Sequence, residues 1–293
     1  MNKRLKVSFV PFSNFGDTCV PYILKKLDIP FVFCHHTVHK KMTMIGSVIQ
    51  GSSKPNTAVW GPGLMHAKDD ANRNANYIAV RGPRTLQRLN DLGIDCSKTV
   101  IGDPAILLPK VYQPKVEKKY KLGIIPHMID GHVIRYIREN KDRFPNTKVI
   151  DANTKVSQIE GFIDQVNSCE KILSTCLHGI ICAHAYNVPV KWMRVGDGLM
   201  GDDVKFHDHF ESLNLSLSEL NMPIDLIKDE NVEVEPTNHI DTLNKNADNL
   251  WAVRPWPNLS DDYYVDLDNE EWTKECYPEN YKDKIWTDEI WNK

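Results

Sequence analysis

The segment Lys171-Ile172-Leu173-Ser174-Thr175-Cys176-Leu177-His178-Gly179-Ile180-Ile181 passes from a short strand-forming run, through a turn, into a helical stretch. The helix is expected to run from His178 to Tyr186, opened by Gly179, and Val188-Pro189-Val190-Lys191-Trp192-Met193 reads as the next strand. A strand, a helix and a second strand in this order favour a parallel sheet, with functional loops at the strand carboxyl ends. His178 then stands at a strand tip, where a helix dipole and backbone donors converge on an ionisable ring. A lone histidine is more often structural, but its position at the strand tip argues for function.

The same alternation recurs on both sides. Leu5 to Val10 reads as a first strand, followed by the turn-prone Pro11 to Asp17 and a helix over Cys19 to Leu27. Phe31 to Cys34, Thr57 to Trp60 and Ile78 to Val80 read as further strands, and Arg84 to Leu92 as a helix stopped by Gly93. After the Pro-containing, Lys-rich stretch Pro109 to Lys121 the pattern restarts. Leu122 to His127 and Lys148 to Asp151 read as strands, with Val133 to Asn140 and Ser157 to Ser168 as helices. The expected organisation is therefore α/β, with domains over 1–112 and 122–256 joined by a linker at 113–121. The acidic, aromatic-rich stretch 257–293 is expected to be an ordered appendage, because disordered tails are poor in aromatics.

Composition narrows the function. Lys and Arg number 36 against 39 Asp and Glu, a formal net charge of -3, so nothing in the overall charge attracts nucleic acid or an anionic membrane. Seven scattered cysteines with no C-x-x-C pair read as reduced thiols of a cytoplasmic protein. Eleven histidines include no H-E-x-x-H or Cys/His ligand spacing, so neither a metal nor a cofactor is expected. The apolar run at Leu5 to Phe12 is far short of the ~18 residues a membrane span needs.

Several turns could hold an anion. Asn14-Phe15-Gly16-Asp17 lies between the first strand and helix, although Asp17 could simply cap that helix and Gly16 permit the turn. Gly46-Ser47 and Gly61-Pro62-Gly63 are small-residue turns where a ligand could approach the backbone. Arg81-Gly82-Pro83-Arg84 puts two guanidinium groups on one side of an entering helix, suited to paired oxygens or simply solvated. Asp103, ahead of Pro104, could orient an arginine or a substrate hydroxyl, or merely cap.

The order of these pieces resembles the polysaccharide pyruvyl transferase family. The matching segments are Asn14 to Asp17, Ile45-Gly46-Ser47, Trp60 to Gly63, Val80 to Pro83, Gly102 to Ala105, Ser174 to Gly179, Ala183 to Tyr186 and Val188-Pro189. That resemblance implies two Rossmann-like domains facing each other across a cleft, as in GT-B glycosyltransferases. It also implies transfer of the enolpyruvyl unit of phosphoenolpyruvate to a glycan acceptor as a ketal. On this reading His178 and Arg81 are catalytic. Asn14, Gly16, Asp17, Ser47, Gly61, Gly63, Arg84, Asp103, Cys176 and Gly179 hold the donor, with His127 and Lys205 on loops facing the same cleft. Where the family commonly has Arg before Leu-His-Gly, this chain has Cys176. The alternatives are a GT-B glycosyltransferase using a nucleotide sugar and a glycan-binding protein without turnover.

Overall fold

Short apolar runs bounded by turns build both sheets, because a strand covered on both faces has no need of polar alternation. The computed structural model describes residues 2–277 apart from 197, 218, 229, 235, 237 and 270; the part of the aromatic-rich stretch beyond 277 lies outside the described residues. The first half contains β1 (Lys3–Ser8), α1 (Phe15–Lys26), β2 (Phe31–Phe33), β3 (Met42–Thr43), α2 (Ile49–Ser52), β4 (Ala58–Trp60), β5 (Asn76–Val80), α3 (Pro83–Asp91), β6 (Val100–Ile101) and α4 (Leu108–Val111). Then come β7 (Tyr120–Ile125), α5 (Gly131–Glu139), β8 (Thr147–Val149), α6 (Ile159–Asn167), β9 (Cys169–Ser174), α7 (Leu177–Ala185), β10 (Val190–Met193), α8 (Val204–Ser212) and β11 (Glu219–Leu220). The chain continues with α9 (Ile240–Ala252), β12 (Tyr264–Asp266) and α10 (Trp272–Cys276).

The first sheet has the order β12-β1-β3-β4-β5-β6, with β2 also paired to β1. Its strands are parallel except β12, which runs antiparallel to β1 with Arg4 opposite Val265. The second sheet, β11-β10-β9-β7-β8, is parallel throughout. Both are mixed α/β layers of Rossmann-like character. Residues 112–119 pass between them, held by Tyr112, whose hydroxyl donates to Asp164 at 2.8 Å and whose carbonyl accepts from the Tyr186 hydroxyl at 2.9 Å.

One apolar core joins the sheets, from Leu5 and Val7 through Phe15 and Phe162 to Ile172 and Ile181. Helix α7 lies at its centre, and every one of its residues is buried. A helix wanted on all sides must be apolar all round and slim, which Gly179, Ala183 and Ala185 supply. A Cβ at Gly179 would overlap the Ser174 hydroxyl and crowd Ile125. His178 and His184 are the polar exceptions in α7, so both must find partners inside the protein.

The chain returns to the first sheet after completing the second. Helix α9 packs on β6 and on the turn Pro104–Leu107, and Trp60 donates its indole N–H to the Leu250 carbonyl at 3.3 Å. Strand β12 follows on β1. No helix among the described residues is long and apolar enough to cross a membrane.

Candidate functional site

The carboxyl ends of the two sets of parallel strands meet, and the loops that follow β1, β6 and β9 converge on His178. This residue is 7% exposed. Its Nε2 lies 3.6 Å from Asp103 Oδ2, across the junction of the two sheets. The other Asp103 oxygen accepts from the Ala105 backbone N–H at 2.9 Å. Asp103 is thus the cap that its sequence position allowed, and its second oxygen faces His178 rather than an arginine. On the far side of the ring, Gly16 leaves the space His178 fills, since a Cβ there would overlap the imidazole.

Asp17 is one residue further into α1, partly exposed, and accepts from Asn14 Nδ2 at 2.9 Å. Burial raises its pKa to about 6, against the lowering effects of the Asn14 hydrogen bond and His178. Buried polar atoms without a hydrogen bond among the described residues include Asn14 Oδ1, Asp103 Oδ2 and His178 Nε2, all three in these converging loops. Buried polar groups are ordinarily satisfied, so these three atoms keep hydrogen-bonding capacity that a polar guest could use.

Asp17 has a consequence for stability. Its folded pKa, about 6, exceeds the ordinary 3.8. Between these values the unfolded chain releases a proton that the folded protein keeps, so stability falls as pH rises through that window and stays lowered above it. Asp17→Asn is therefore expected to stabilise the protein at pH 7 by roughly 1–3 kcal/mol and to do nothing at pH 3.5. Urea unfolding of both proteins at the two pH values checks this; equal stabilisation at both would reject the assignment.

Lys205 enters from α8. Its ammonium donates to the Met200 carbonyl at 2.7 Å. Burial lowers its pKa to about 8, helped by Arg81 and opposed by Cys176 and Asp203. Asp203 itself is paired with Arg194 at 2.5 Å. Lys205 therefore holds a buried positive charge with no carboxylate in salt-bridge contact among the described residues. His127, at the tip of β7, has its ring pKa lowered by burial and then by Lys205, so it is neutral at pH 7. Its backbone N–H donates to Thr175 Oγ1 at 2.7 Å. Cys176 stands at the N-cap position of α7 without a side-chain cap hydrogen bond, and burial raises its thiol pKa against the lowering effect of the Gly179 and His178 backbone N–H groups. A thiol so placed is a poor nucleophile.

The arginines occupy different ground. Arg81 is 0% exposed and its donors are committed: Nε to Asp208 at 3.2 Å, one terminal nitrogen to Ser47 Oγ at 2.8 Å, the other to the Leu64 carbonyl at 2.7 Å. Asp208, from α8, also accepts from the Thr85 N–H at 3.0 Å and the Thr85 hydroxyl at 2.6 Å. Arg84 faces Glu211, with Nε 3.0 Å from both carboxylate oxygens. The pair expected to clamp an anion thus fastens α3 of one lobe to α8 of the other. The glycines serve the same packing: a Cβ at Gly63 would overlap the Arg81 guanidinium, at Gly82 the Asp208 backbone, and at Gly61, where φ is +100°, the Pro104 ring.

Residues 28–195 match the family described as Polysaccharide pyruvyl transferase. The chain belongs to the polysaccharide pyruvyl transferase family. It is also similar to the Uncharacterized protein L143 of Acanthamoeba polyphaga mimivirus, 31% identical over 229 residues, 75% of this chain and 78% of that protein. Among solved structures it is similar to the functionally uncharacterized protein KP1_0663 of Klebsiella pneumoniae, with 9% identity, a TM-score of 0.44, and coverage of 75% of this chain and 93% of the other.

In this pyruvyl transferase family member a cavity of about 700 Å³ opens beside the site, with Ser47 on its wall. Phe9, Phe12, Phe33, Met65, Met200 and Tyr277 give it a largely apolar surface. Phe12 and Met200 are 62% and 70% exposed at its mouth. Behind the site is a second group that the sequence reading did not anticipate. His184 Nδ1 and His209 Nε2 lie 3.0 Å apart, fully buried, and His239 Nε2 lies 3.0 Å from the His184 carbonyl. Burial lowers both pKa values, that of His209 to about 3, so the two rings are neutral and share one hydrogen bond. Asp208 and His209 were missed because α8 carries little apolar signal; only Phe206 and Phe210, four apart, hinted at it.

Proposed function

We propose that the protein transfers the pyruvyl unit of phosphoenolpyruvate to a pair of hydroxyls on a sugar, forming a ketal and releasing phosphate. The observation that carries this reading is the buried His178, set between Asp103 and Gly16 at the meeting of the two lobes, with the unpaired cation of Lys205 nearby. Protonation of the methylene carbon of phosphoenolpyruvate by His178 leaves a cationic central carbon. One sugar hydroxyl adds to that carbon and gives its proton to Asp17, whose pKa of about 6 suits a base at neutral pH. The second hydroxyl then displaces phosphate, which leaves with the remaining proton. Asp103 orients His178. Lys205, in place of the arginines engaged elsewhere, neutralises the donor's carboxylate or phosphate. The apolar cavity beside Ser47 receives the sugar, whose C–H faces suit aromatic walls.

Phosphoenolpyruvate is expected to raise the thermal midpoint of the protein, whereas UDP- and GDP-sugars leave it unchanged. Incubation with phosphoenolpyruvate and a panel of galactosides, mannosides and glucosides should release phosphate with at least one acceptor. Stabilisation by nucleotide sugars alone would point to a glycosyltransferase, and glycan binding without phosphate release to a protein that only binds. Lys205→Ala is expected to raise KM for phosphoenolpyruvate roughly ten- to a hundredfold, the worth of one charged hydrogen bond. In the unmodified protein the same affinity should weaken as pH rises through about 8, where the ammonium loses its proton.

A further inference from the structure

All seven cysteines are buried; five are dispersed through the fold, whereas Cys34 and Cys276, far apart in sequence, are brought together. Cys34 follows β2 and donates its backbone N–H to the Val7 carbonyl at 2.7 Å. Cys276 is the last residue of α10. The next residue on the β2 side, His35, donates its N–H to the Cys276 carbonyl at 2.9 Å, and Cys34 Sγ approaches the Glu275 carbonyl at 4.0 Å. Both side chains are fully buried, and the neighbouring Cys34 thiol, together with burial, pushes the Cys276 thiol well above its ordinary pKa. Cys19, Cys176 and Cys182 sense one another only through longer-range electrostatics.

The neighbourhood gives the pair a purpose. Tyr277, directly after Cys276, packs on Phe33 with ring centroids 6.2 Å apart, and both rings line the 700 Å³ cavity together with His35. The described helix that holds this wall from the C-terminal side, α10, is five residues long. So short a helix contributes little stability of its own.

We propose that Cys34 and Cys276 form a reversible disulfide that pins the C-terminal segment to β2 and fixes the Tyr277 wall of the cavity. The oxidant is a small disulfide such as oxidised glutathione. One protein thiol loses its proton to solvent and attacks a glutathione sulfur, expelling the first glutathione thiolate and leaving a mixed disulfide. The second protein thiolate attacks the protein-bound sulfur and expels the second glutathione. Two electrons pass from the protein to the oxidant, which leaves as two thiols once protonated. Burial favours the thiol over the thiolate, so the reaction proceeds as α10 opens locally or as the chain folds.

The test reads thiols and stability and does not depend on the reaction proposed above. The full chain, reduced and unfolded, is refolded in a buffer of reduced and oxidised glutathione, so that access to buried sulfur is not limiting. It is then quenched in acid, alkylated in denaturant and mapped by mass spectrometry. The expected product lacks two hydrogens, contains a linked Cys34–Cys276 peptide and alkylates at the other five cysteines. Its unfolding midpoint lies roughly 5–15 °C above that of the reduced protein and returns on adding dithiothreitol. Cys34→Ala and Cys276→Ala should each abolish this response. Seven alkylated thiols in the refolded protein, or a bridge that maps to another pair such as Cys19–Cys182, would overturn the proposal.

Discussion

Arg81→Ala is expected to lower the free energy of unfolding by about 3–5 kcal/mol, the usual cost of leaving one member of a buried ion pair alone. The Asp208 carboxylate would lose its cation inside the protein, while Ser47 and the Leu64 carbonyl would each lose a donor. Lysine is no substitute, because one ammonium cannot reach three acceptors arranged around a planar fork. Urea unfolding with a tryptophan fluorescence readout measures the loss. Replacing both partners, as in Arg81→Met with Asp208→Leu, should recover only part of it, since Asp208 also satisfies the Thr85 N–H and hydroxyl. A fully stable Arg81→Ala protein with weakened donor binding would show that the guanidinium serves the ligand rather than the lobes.

His178→Ala should behave in the opposite way, losing turnover by a factor on the order of 10²–10⁴ while the unfolding transition stays nearly in place. A second variant separates chemistry from packing. Gly16→Ala keeps the imidazole but puts a methyl where the ring lies, so His178 must move away from Asp103. Its turnover should fall nearly as far. Asp103→Asn should shift the pH dependence of turnover, as expected of a residue that acts through His178. Turnover at the wild-type rate in His178→Ala would dispose of the acid assignment.

Much of the frame was readable from sequence because its strands are short apolar runs closed by glycine, proline or a capping residue. The expected strand at Phe31 to Cys34 is β2, that at Thr57 to Trp60 is β4, and the helix expected over His178 to Tyr186 is α7, each within two residues. The two-residue strands β3 and β11 were missed because pairing with neighbours, rather than local pattern, makes them strands. The turns carrying His178, Asp17 and Asp103 could be located for the same reason as the strands before them. Side-chain commitments could not. Nothing in Arg81-Gly82-Pro83-Arg84 reveals that Asp208 and Glu211, more than a hundred positions later, take both guanidinium groups. The value of Lys205 is equally hidden, since it depends on burial and on having no carboxylate in salt-bridge contact among the described residues.

The return of the chain to its own beginning governs the order in which this molecule can assemble. Every described strand of the second sheet lies between Tyr120 and Leu220, whereas β1 awaits β12, and Asn2 awaits Leu267, both of which follow the whole second sheet in the chain. During synthesis the downstream sheet can close as soon as its strands have left the ribosome, while the upstream sheet must wait for β12 to emerge. The lobe translated first is the lobe finished last.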